Sequence, residues 1–278
     1  MIFLPIYDVG LGCSSFVIGD ETTGQAFVVD PLGSEGAENY LMTVQELGLN
    51  LTLVVETHVH ADHLSSAREL AGMTSVPIVL SRHAPAVFPF QPVADGDILD
   101  AGAVRALVWE TPGHTPDSIS LIISDRTRGG DPWAVLTGDS LFVGDVGRPD
   151  LADAHREAVE AASKAQFRSV RRLMTLPDYT EVWPAHYGSS PCGGLFMSRK
   201  PQSTIGYERR HNRALQIEDY ETFLDYQRRL VKPAPNQAAQ IRSRNLGTLV
   251  SGHTEKGGVR WLLSLRISLT TSKPIWLI

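Results

Sequence analysis

The sequence lacks the features that define several protein classes. It has only two cysteines, Cys13 and Cys192, in 278 residues, so it contains no disulfide framework. It has no run of about 18 apolar residues, so neither a transmembrane helix nor a membrane partner is expected. The net charge of −6 and the absence of a basic cluster argue against nucleic acid as a partner. The first ten residues, MIFLPIYDVG, lack the charged region and cleavage pattern of a signal peptide. Together these features predict a cytoplasmic protein.

Short apolar runs separated by Gly, Pro, Asp or Ser dominate the first half of the chain, a pattern typical of strands. The predicted strands are Phe3–Tyr7, Ser15–Ile18, Ala26–Val29, Leu51–Val55, Ile78–Leu80, Ala103–Trp109, Ile119–Ile123 and Ala134–Leu136. Helical periodicity predicts helices at Ala37–Leu47, Asp153–Leu173 and Ile217–Val231. The apolar stripe of the second helix is predicted at Ala154, Ala158, Ala161, Ala165 and Val170. Strands interleaved with helices predict a layered α/β fold.

The chain after about Leu249 has neither a helical nor a strand period. It ends on an apolar segment, whereas termini are usually polar. This tail could add an edge strand, mediate a contact or be foreign to the domain, and the sequence favours none of these.

Histidine and aspartate are concentrated in ETHVHADHLSS, directly after a predicted strand. His58 and His60 are two residues apart on an extended strand end, so they project to the same side and can share one metal ion. Asp62 and His63 follow in a turn, where they could reach a second ion or the water of the first. Three of the nine histidines fall within six positions, which chance placement in a polar loop does not explain well.

Three more metal-competent residues follow predicted strands further along the chain. They are His114 in ETPGHTPDS, Asp139 in AVLTGDSLF and His186 in VWPAHYG. In layered α/β folds, sites form where strands end. The repeated placement therefore predicts that these residues share one metal site with the histidine cluster.

The ligand types limit the metal and leave the reaction open. Imidazole and carboxylate groups suit zinc, iron or manganese. Two histidines and one carboxylate with open positions are the ligand set of non-haem Fe(II) oxygenases. Three histidines, or two metals bridged by Asp139, would instead activate water for hydrolysis.

Four motifs, HVHADH, PGHTPDS, TGDSLF and PAH, occur in this order and resemble the metallo-β-lactamase superfamily over about residues 1–247. This resemblance implies one catalytic domain, an αββα sandwich of four layers with the metal site at one sheet edge. It leaves residues 248–278 as an unassigned tail. The stretches GDSLFVGDVGRPDL and CGG…KPQSTIGYERRHN are similar to the persulfide dioxygenase branch, especially its bacterial, often rhodanese-fused members.

The resemblance implies one Fe(II) per chain, held by His58, His114 and Asp139, with His60 beside them as a further candidate ligand. The implied reaction oxidises glutathione persulfide, or a similar small persulfide, with O2 to sulfite and thiol, in sulfide detoxification.

A second metal site of the superfamily is matched by Asp62, His63 and His186. In the dioxygenases this site is generally empty, and Asp62 is also predicted to act in catalysis. Because every ligand of a dinuclear hydrolase is present, a hydrolase with one or two Zn(II) ions is the alternative. It would resemble glyoxalase II or a promiscuous β-lactamase.

Three residues of the family stretches are candidates for catalysis or substrate binding. Arg148 could pair with a carboxylate of glutathione or with developing sulfite, or else form an ion pair with Asp145 or Asp150. Tyr207 is predicted to line the substrate channel. Cys192 could hold or exchange a persulfide if its pKa is lowered, or it could be a small buried residue. A sulfur carrier that uses this thiol without catalysis is a third hypothesis.

The chain departs from the family pattern in two respects. Tyr187 stands where related members commonly have glycine, so a narrower pocket is expected. Only about 30 residues follow the resemblance, whereas a rhodanese domain needs on the order of a hundred. Sulfur transfer would therefore depend on a separate rhodanese. Family members are often dimers or tetramers, so a homo-oligomer is also expected. Cys13 is predicted to be structural.

Overall fold

The computed structural model describes residues 1–188, 190, 192–194, 196–231 and 237–249. Nearly all of the tail assigned to residues 248–278 lies outside the described residues. None of the described helices is long and apolar enough to cross a membrane.

The amino-terminal half forms a six-stranded sheet in the order β1 to β6. The first three strands form an antiparallel meander, and β3 to β6 are parallel. The strands are β1 (Ile2–Asp8), β2 (Cys13–Asp20), β3 (Gln25–Val29), β4 (Asn50–Val55), β5 (Ile78–Ser81) and β6 (Gln91–Val93).

A second six-stranded sheet has the order β14-β13-β10-β9-β8-β7. Only β10 and β13 are parallel. Its strands are β7 (Ile98–Ala101), β8 (Val104–Glu110), β9 (Ile119–Asp125), β10 (Ala134–Gly138), β13 (Glu181–Pro184) and β14 (Ser203–Thr204). A two-stranded hairpin between these elements consists of β11 (Leu141–Phe142) and β12 (Asp145–Val146).

The two sheets pack face to face through alternate residues of each strand. On β2, Phe16 and Ile18 enter the core between the sheets, whereas Val17 points to the opposite face. All three side chains are buried because the outer face is covered by helices. Burial on both faces explains why residues 16–18 form a continuous apolar run rather than an alternating one.

Helices cover the outer face of each sheet. Tyr40 and Leu70 pack α1 and α2 on the first sheet, and Leu173 and Phe223 pack α3 and α5 on the second. The predicted four-layer αββα sandwich is therefore confirmed. The helices are α1 (Ala37–Glu46), α2 (Ala67–Thr74), α3 (Arg156–Leu173), α4 (Ile205–His211), α5 (Tyr220–Leu230) and α6 (Ala238–Leu246).

The elements predicted from sequence are present, with small shifts at their ends. All eight predicted strands and three predicted helices occur. The last predicted helix begins at Tyr220 rather than Ile217, because the Asp219 carboxylate accepts the Thr222 N–H at 2.9 Å and caps the helix. The short helices α2, α4 and α6 were not predicted.

The inner face of α3 differs from its prediction. The Gln166 side chain accepts the His114 N–H at 2.9 Å and donates to the Ser140 carbonyl, and the Ser169 hydroxyl donates to the Pro112 carbonyl at 2.7 Å. The helix is polar on this face because it packs on loops whose backbone needs partners. Of the predicted apolar stripe, only Val170 is buried, and the prediction is wrong for the four alanines. The buried residues of the helix are Val159, Ser163, Gln166, Ser169, Val170 and Leu173.

Candidate metal centre

The predicted metal-competent residues lie at one edge of the sandwich, where strands from both sheets end. His58 follows β4 of the first sheet, whereas His114, Asp139 and His186 follow β8, β10 and β13 of the second. The loops after these strands bring the side chains together into adjoining groups.

The first group consists of His58, His114 and Asp139, which are all buried and whose ligand atoms lie within 4.8 Å of one another. Asp139 Oδ2 is 3.3 Å from His114 Nε2 and 3.8 Å from His58 Nε2. Both Asp139 Oδ2 and His58 Nε2 lack a hydrogen-bond partner among the described residues. Buried polar atoms without partners are costly, and a cation bound between them would satisfy both. The group therefore fits a metal ion.

Hydrogen bonds to the far side of each imidazole prepare it for metal binding. His114 Nδ1 is 2.9 Å from the Arg148 carbonyl oxygen, so this nitrogen donates and Nε2 keeps its lone pair. His58 Nδ1 is 3.1 Å from the Thr57 hydroxyl, which itself donates to Asp30 Oδ2 at 2.8 Å. Asp30 also accepts the Thr57 N–H at 2.6 Å and so braces the loop.

The charges of this group match those of metal ligands. Burial and the neighbouring His60 hold the pKa of His58 well below its usual value, so its imidazole is neutral. Burial opposes the charged form of Asp139, but His186 and His114 outweigh it and hold the pKa of the carboxyl well below its usual range. Neutral imidazole and ionised carboxylate are the forms that bind a metal.

Glycine allows the backbone to approach the ligands closely. A Cβ atom at Gly147 would overlap the Asp139 carbonyl oxygen and would lie 3.0 Å from His114 Cβ. Gly138, at φ +50°, passes beside the Thr57 side chain in the left-handed region. Larger residues at these positions would displace the loops that carry the ligands.

His60 lies beside the first group rather than within it. Its Nε2 is 3.2 Å from Asp30 Oδ1 and 3.2 Å from Glu56 Oε2, and it forms a separate buried group with these two carboxylates. Burial opposes its charged form, but Asp30 and Glu56 raise the pKa of His60 well above its usual value. His60 Nε2 thus faces Asp30 and Glu56 outside the first group, and its predicted role as a metal ligand stays a prediction.

The second group contains the predicted residues Asp62, His63 and His186, together with Cys13. Asp62 Oδ2 is 2.6 Å from His186 Nε2 and 3.1 Å from His63 Nδ1. The Cys13 sulfur is 3.7 Å from Asp62 Oδ2 and 3.9 Å from His63 Nδ1. Burial opposes its thiolate, but His186 and His63 outweigh it and lower the pKa of Cys13. Asp62 forms these contacts within the second group, and its predicted catalytic role stays a prediction.

Cys13 belongs to this group because of a contact between distant parts of the chain. It begins β2 and forms an isolated β-bridge with His186. No local pattern in GLGCSSF marks the cysteine as part of a site, so the sequence predicted only a structural role for it.

Arg148 forms an ion pair with Asp150, which is one of the two roles that the sequence left open. Its side chain is 2% exposed and contacts the Asp150 carboxylate through Nε at 2.7 Å and Nη2 at 2.5 Å. Its carbonyl orients His114, as described above. A direct contact between Arg148 and a substrate stays a prediction.

Cys192 and Tyr207 lie in different surroundings. Cys192 is buried within 4.8 Å of ligand atoms of Asp139 and His186, and burial raises the pKa of its thiol well above the usual value. Tyr207 is 44% exposed on α4, with the Lys200 ammonium 6.0 Å from its ring centroid. Their predicted roles in catalysis and substrate binding stay predictions.

Gly12 and Tyr187, the chain neighbours of Cys13 and His186, line a cavity of 470 Å³. Its walls include the exposed side chains of Val9 and Leu11 in the turn between β1 and β2, the exposed Arg199 and the half-buried Tyr187. Tyr187, which follows His186, packs edge-on against the Tyr7 ring at 5.4 Å. Tyr187 thus forms part of the wall, and the narrower pocket expected from it stays a prediction.

Sequence comparisons identify related proteins. The model of the metallo-beta-lactamase superfamily matches residues 8–186. The beta-lactamase hydrolase-like protein of Xylella fastidiosa is 26% identical over 248 residues, and the match spans 78% of this chain and only 53% of that protein. The chain thus spans about half the length of this relative. The mitochondrial persulfide dioxygenase ETHE1 of Bos taurus is 29% identical, over 80% of this chain and 79% of that protein. A hydroxyacylglutathione hydrolase of Prochlorococcus marinus is 31% identical over 60% of this chain and 62% of that protein.

Solved structures show the same fold over most of the chain. The metallo-beta-lactamase from Staphylococcus aureus is 33% identical, with a TM-score of 0.79, and the match covers 88% of this chain and 72% of that one. ETHE1 from Myxococcus xanthus is 31% identical, with a TM-score of 0.75, and the match covers 89% of this chain and 99% of that one. The chain therefore belongs to the metallo-β-lactamase superfamily, in the branch that contains the persulfide dioxygenase ETHE1.

Proposed function

We propose that the protein is an iron-dependent persulfide dioxygenase, which oxidises glutathione persulfide or a similar small persulfide with O2 to sulfite and thiol. The observation that carries the proposal is the buried group of His58, His114 and Asp139. Two histidines and one carboxylate are the ligand set of non-haem Fe(II) oxygenases, which leaves open positions for reactants. The similarity to ETHE1 proteins from two organisms supports the same reaction.

The ligand residues would hold one Fe(II), which when bound would supply the redox chemistry that couples oxidation of the persulfide sulfur to reduction of O2. The chain contributes the orientation of the ligands. The Arg148 carbonyl oxygen accepts a hydrogen bond from His114 Nδ1 and so fixes the ring. His186 Nδ1 contacts Asp139 Oδ1, the carboxylate oxygen that faces away from the first group. Burial of all three ligands excludes bulk water from their bonds to the metal.

The cavity lined by Gly12 and Tyr187 is the proposed route for the substrate. Glutathione persulfide carries two carboxylates, and the exposed Arg199 guanidinium can bind one of them with two hydrogen bonds. Val9 and Leu11 offer apolar contacts to the methylene groups of the tripeptide. Tyr187 limits the width of the cavity. We therefore propose that the cavity admits persulfides of slender thiols and excludes those of bulky thiols.

The proposed reaction is balanced by one water. One persulfide, one O2 and one water give one thiol and one sulfite, so the outer sulfur is oxidised and O2 is reduced. The test is O2 uptake by the Fe(II)-loaded protein given glutathione persulfide. Rapid uptake that His114→Ala abolishes supports the proposal. No uptake by protein with confirmed bound iron would contradict it.

A zinc hydrolase is the second candidate, because the second group retains a complete set of ligands. The similarity to a hydroxyacylglutathione hydrolase favours a glutathione thioester as its substrate. In this case zinc-loaded protein would cleave the thioester without O2, and iron-loaded protein would leave the persulfide unchanged. A separate rhodanese partner, a homo-oligomer and a cytoplasmic location remain predictions.

A further inference from the structure

We propose that Asn245 of α6 is a positioning residue for the metal centre. Its side-chain amide holds the loop that follows His58, the first of the proposed iron ligands. The match to the family model ends at residue 186, so α6 lies outside the matched residues. The inference deepens the proposed function, because it rests on the metal centre proposed there and adds a further helix to the parts of the chain that support it.

Asn245 forms three hydrogen bonds with the backbone of this loop. Its Nδ2 group donates to the carbonyl oxygen of His60 at 2.9 Å and to that of His63 at 2.8 Å. Its Oδ1 atom accepts the Ser65 N–H at 3.0 Å. An asparagine side chain offers two N–H donors and one carbonyl acceptor, so this amide uses all of its functions on one loop. The partners also fix its orientation, because a flipped amide would turn its oxygen towards two carbonyl oxygens.

The loop has little regular structure of its own. Residues 57–64 form neither a helix nor a strand. The Val59 N–H donates to Asp117 Oδ2 at 2.8 Å, which holds the end of the loop next to His58. Asn245 holds the opposite end. Metal affinity depends on how firmly the groups behind the ligands fix them, so a loop held at only one end should bind a metal ion more weakly.

The helix that carries Asn245 is itself firmly attached. Leu246 packs with the residues that cover the outer face of the first sheet, and its carbonyl oxygen accepts the Val87 N–H at 3.0 Å. The Arg68 Nη2 group donates to the Arg244 carbonyl oxygen at 2.7 Å. The chain is therefore anchored directly before and after Asn245, and the amide transmits this support to the loop.

The first test measures Fe(II) binding by the full chain through competition with a chromogenic chelator. Asn245→Asp has nearly the same shape and keeps an acceptor for Ser65, but its carboxylate would face the carbonyl oxygens of His60 and His63. We expect the dissociation constant to rise about tenfold. Gln240→Glu adds the same charge at an exposed position of α6 and should bind iron as the wild type does. An unchanged dissociation constant in Asn245→Asp would overturn the proposal.

A second measurement uses the wild type, so it does not depend on whether a variant folds, and it separates positioning from a purely structural role. Energetic coupling is reciprocal: if α6 strengthens metal binding, bound metal must strengthen the attachment of α6. Amide hydrogen exchange across Ala238–Leu246 should therefore slow when Fe(II) is added without O2, and by more than exchange across α1 (Ala37–Glu46). Bound iron with no change in α6, or with an equal change in both helices, would overturn the proposal.

Neither readout depends on the reaction. Failure of the wild type to bind iron would overturn both this inference and the proposed function. Weakened iron binding in Asn245→Asp, together with no O2 uptake by the iron-loaded wild type, would support the inference and overturn only the proposed reaction.

Discussion

His186 Nδ1 lies 2.6 Å from Asp139 Oδ1. The contact fixes the Asp139 carboxylate so that its second oxygen, Oδ2, faces His58 and His114. A residue that orients a metal ligand typically contributes 10- to 100-fold to metal affinity. His186 thus acts as a positioning residue for the first group, in addition to its place in the second.

The variant His186→Ala tests this positioning role. Without the imidazole, the Asp139 carboxylate is free to rotate, so we expect iron affinity to fall about 10- to 100-fold. Competition with a chromogenic Fe(II) chelator measures the dissociation constant. The exposed His211→Ala is the control and should bind iron normally. An unchanged affinity in His186→Ala would show that Asp139 is held by other contacts.

Replacement of Arg199 tests the proposed substrate route. Arg199→Gln removes the cationic partner of a substrate carboxylate, so the KM for glutathione persulfide should rise about tenfold, or about 1.4 kcal/mol of binding. The kcat should stay within about twofold, because the lost contact is the same in the ground state and the transition state. Steady-state O2 uptake gives both constants. The neighbouring Lys200→Gln serves as the control, and equal effects of the two variants would show only a general charge effect.

The close packing at Gly147 gives a prediction about stability and metal binding together. In Gly147→Ala, the new methyl group overlaps the Asp139 carbonyl and crowds His114, so the loop must shift. We expect a loss of about 1–3 kcal/mol in the free energy of unfolding and a lower iron content. Urea unfolding and metal analysis measure these changes. Gly130→Ala, where no atom lies within 4 Å of the added carbon, should alter neither.

Asp20 provides a pH-dependent contribution to stability far from the metal centre. Its carboxylate accepts N–H groups of Ala103 at 2.9 Å and Thr22 at 3.0 Å, and the Thr23 hydroxyl at 3.0 Å. These bonds, that from Ala103 foremost, lower the pKa of Asp20. Since the folded pKa lies below the unfolded value, the stabilisation is complete above about pH 4 and is lost as the pH falls through the folded pKa.

The variant Asp20→Asn should therefore be about 1–2 kcal/mol less stable than the wild type at pH 7. The difference should shrink as the pH falls from about 4 towards 2. Urea unfolding between these pH values measures it, with the exposed Asp131→Asn as the control. A difference that is constant with pH would show that the carboxylate charge does not contribute.

Local patterns explain which parts of the structure were predictable. The strands that precede His58, His114 and Asp139 are rich in apolar residues, and each ligand lies within four residues of the end of its strand. Such features depend on neighbours in the sequence, so strand positions and ligand placement at strand ends could be read from it. The four-layer arrangement came from the family resemblance.

Contacts between distant segments determine the features that the sequence did not predict. The place of Cys13 depends on how the start of β2 meets the loop after β13. The orientation of His60 depends on Asp30, which follows a different strand. The polar inner face of α3 depends on the loop around His114, to which Gln166 is bonded. No periodicity in the sequence encodes these tertiary pairings.

The central claim is that iron in this protein directs O2 to a persulfide. The most direct measurement is the ratio of O2 consumed to sulfite formed, using one metal-free preparation loaded in parallel with Fe(II) or Zn(II). We expect a ratio of one with iron, and neither uptake nor sulfite with zinc. Thioester hydrolysis by the zinc-loaded protein, with no O2 uptake by the iron-loaded protein, would contradict the account and identify a hydrolase.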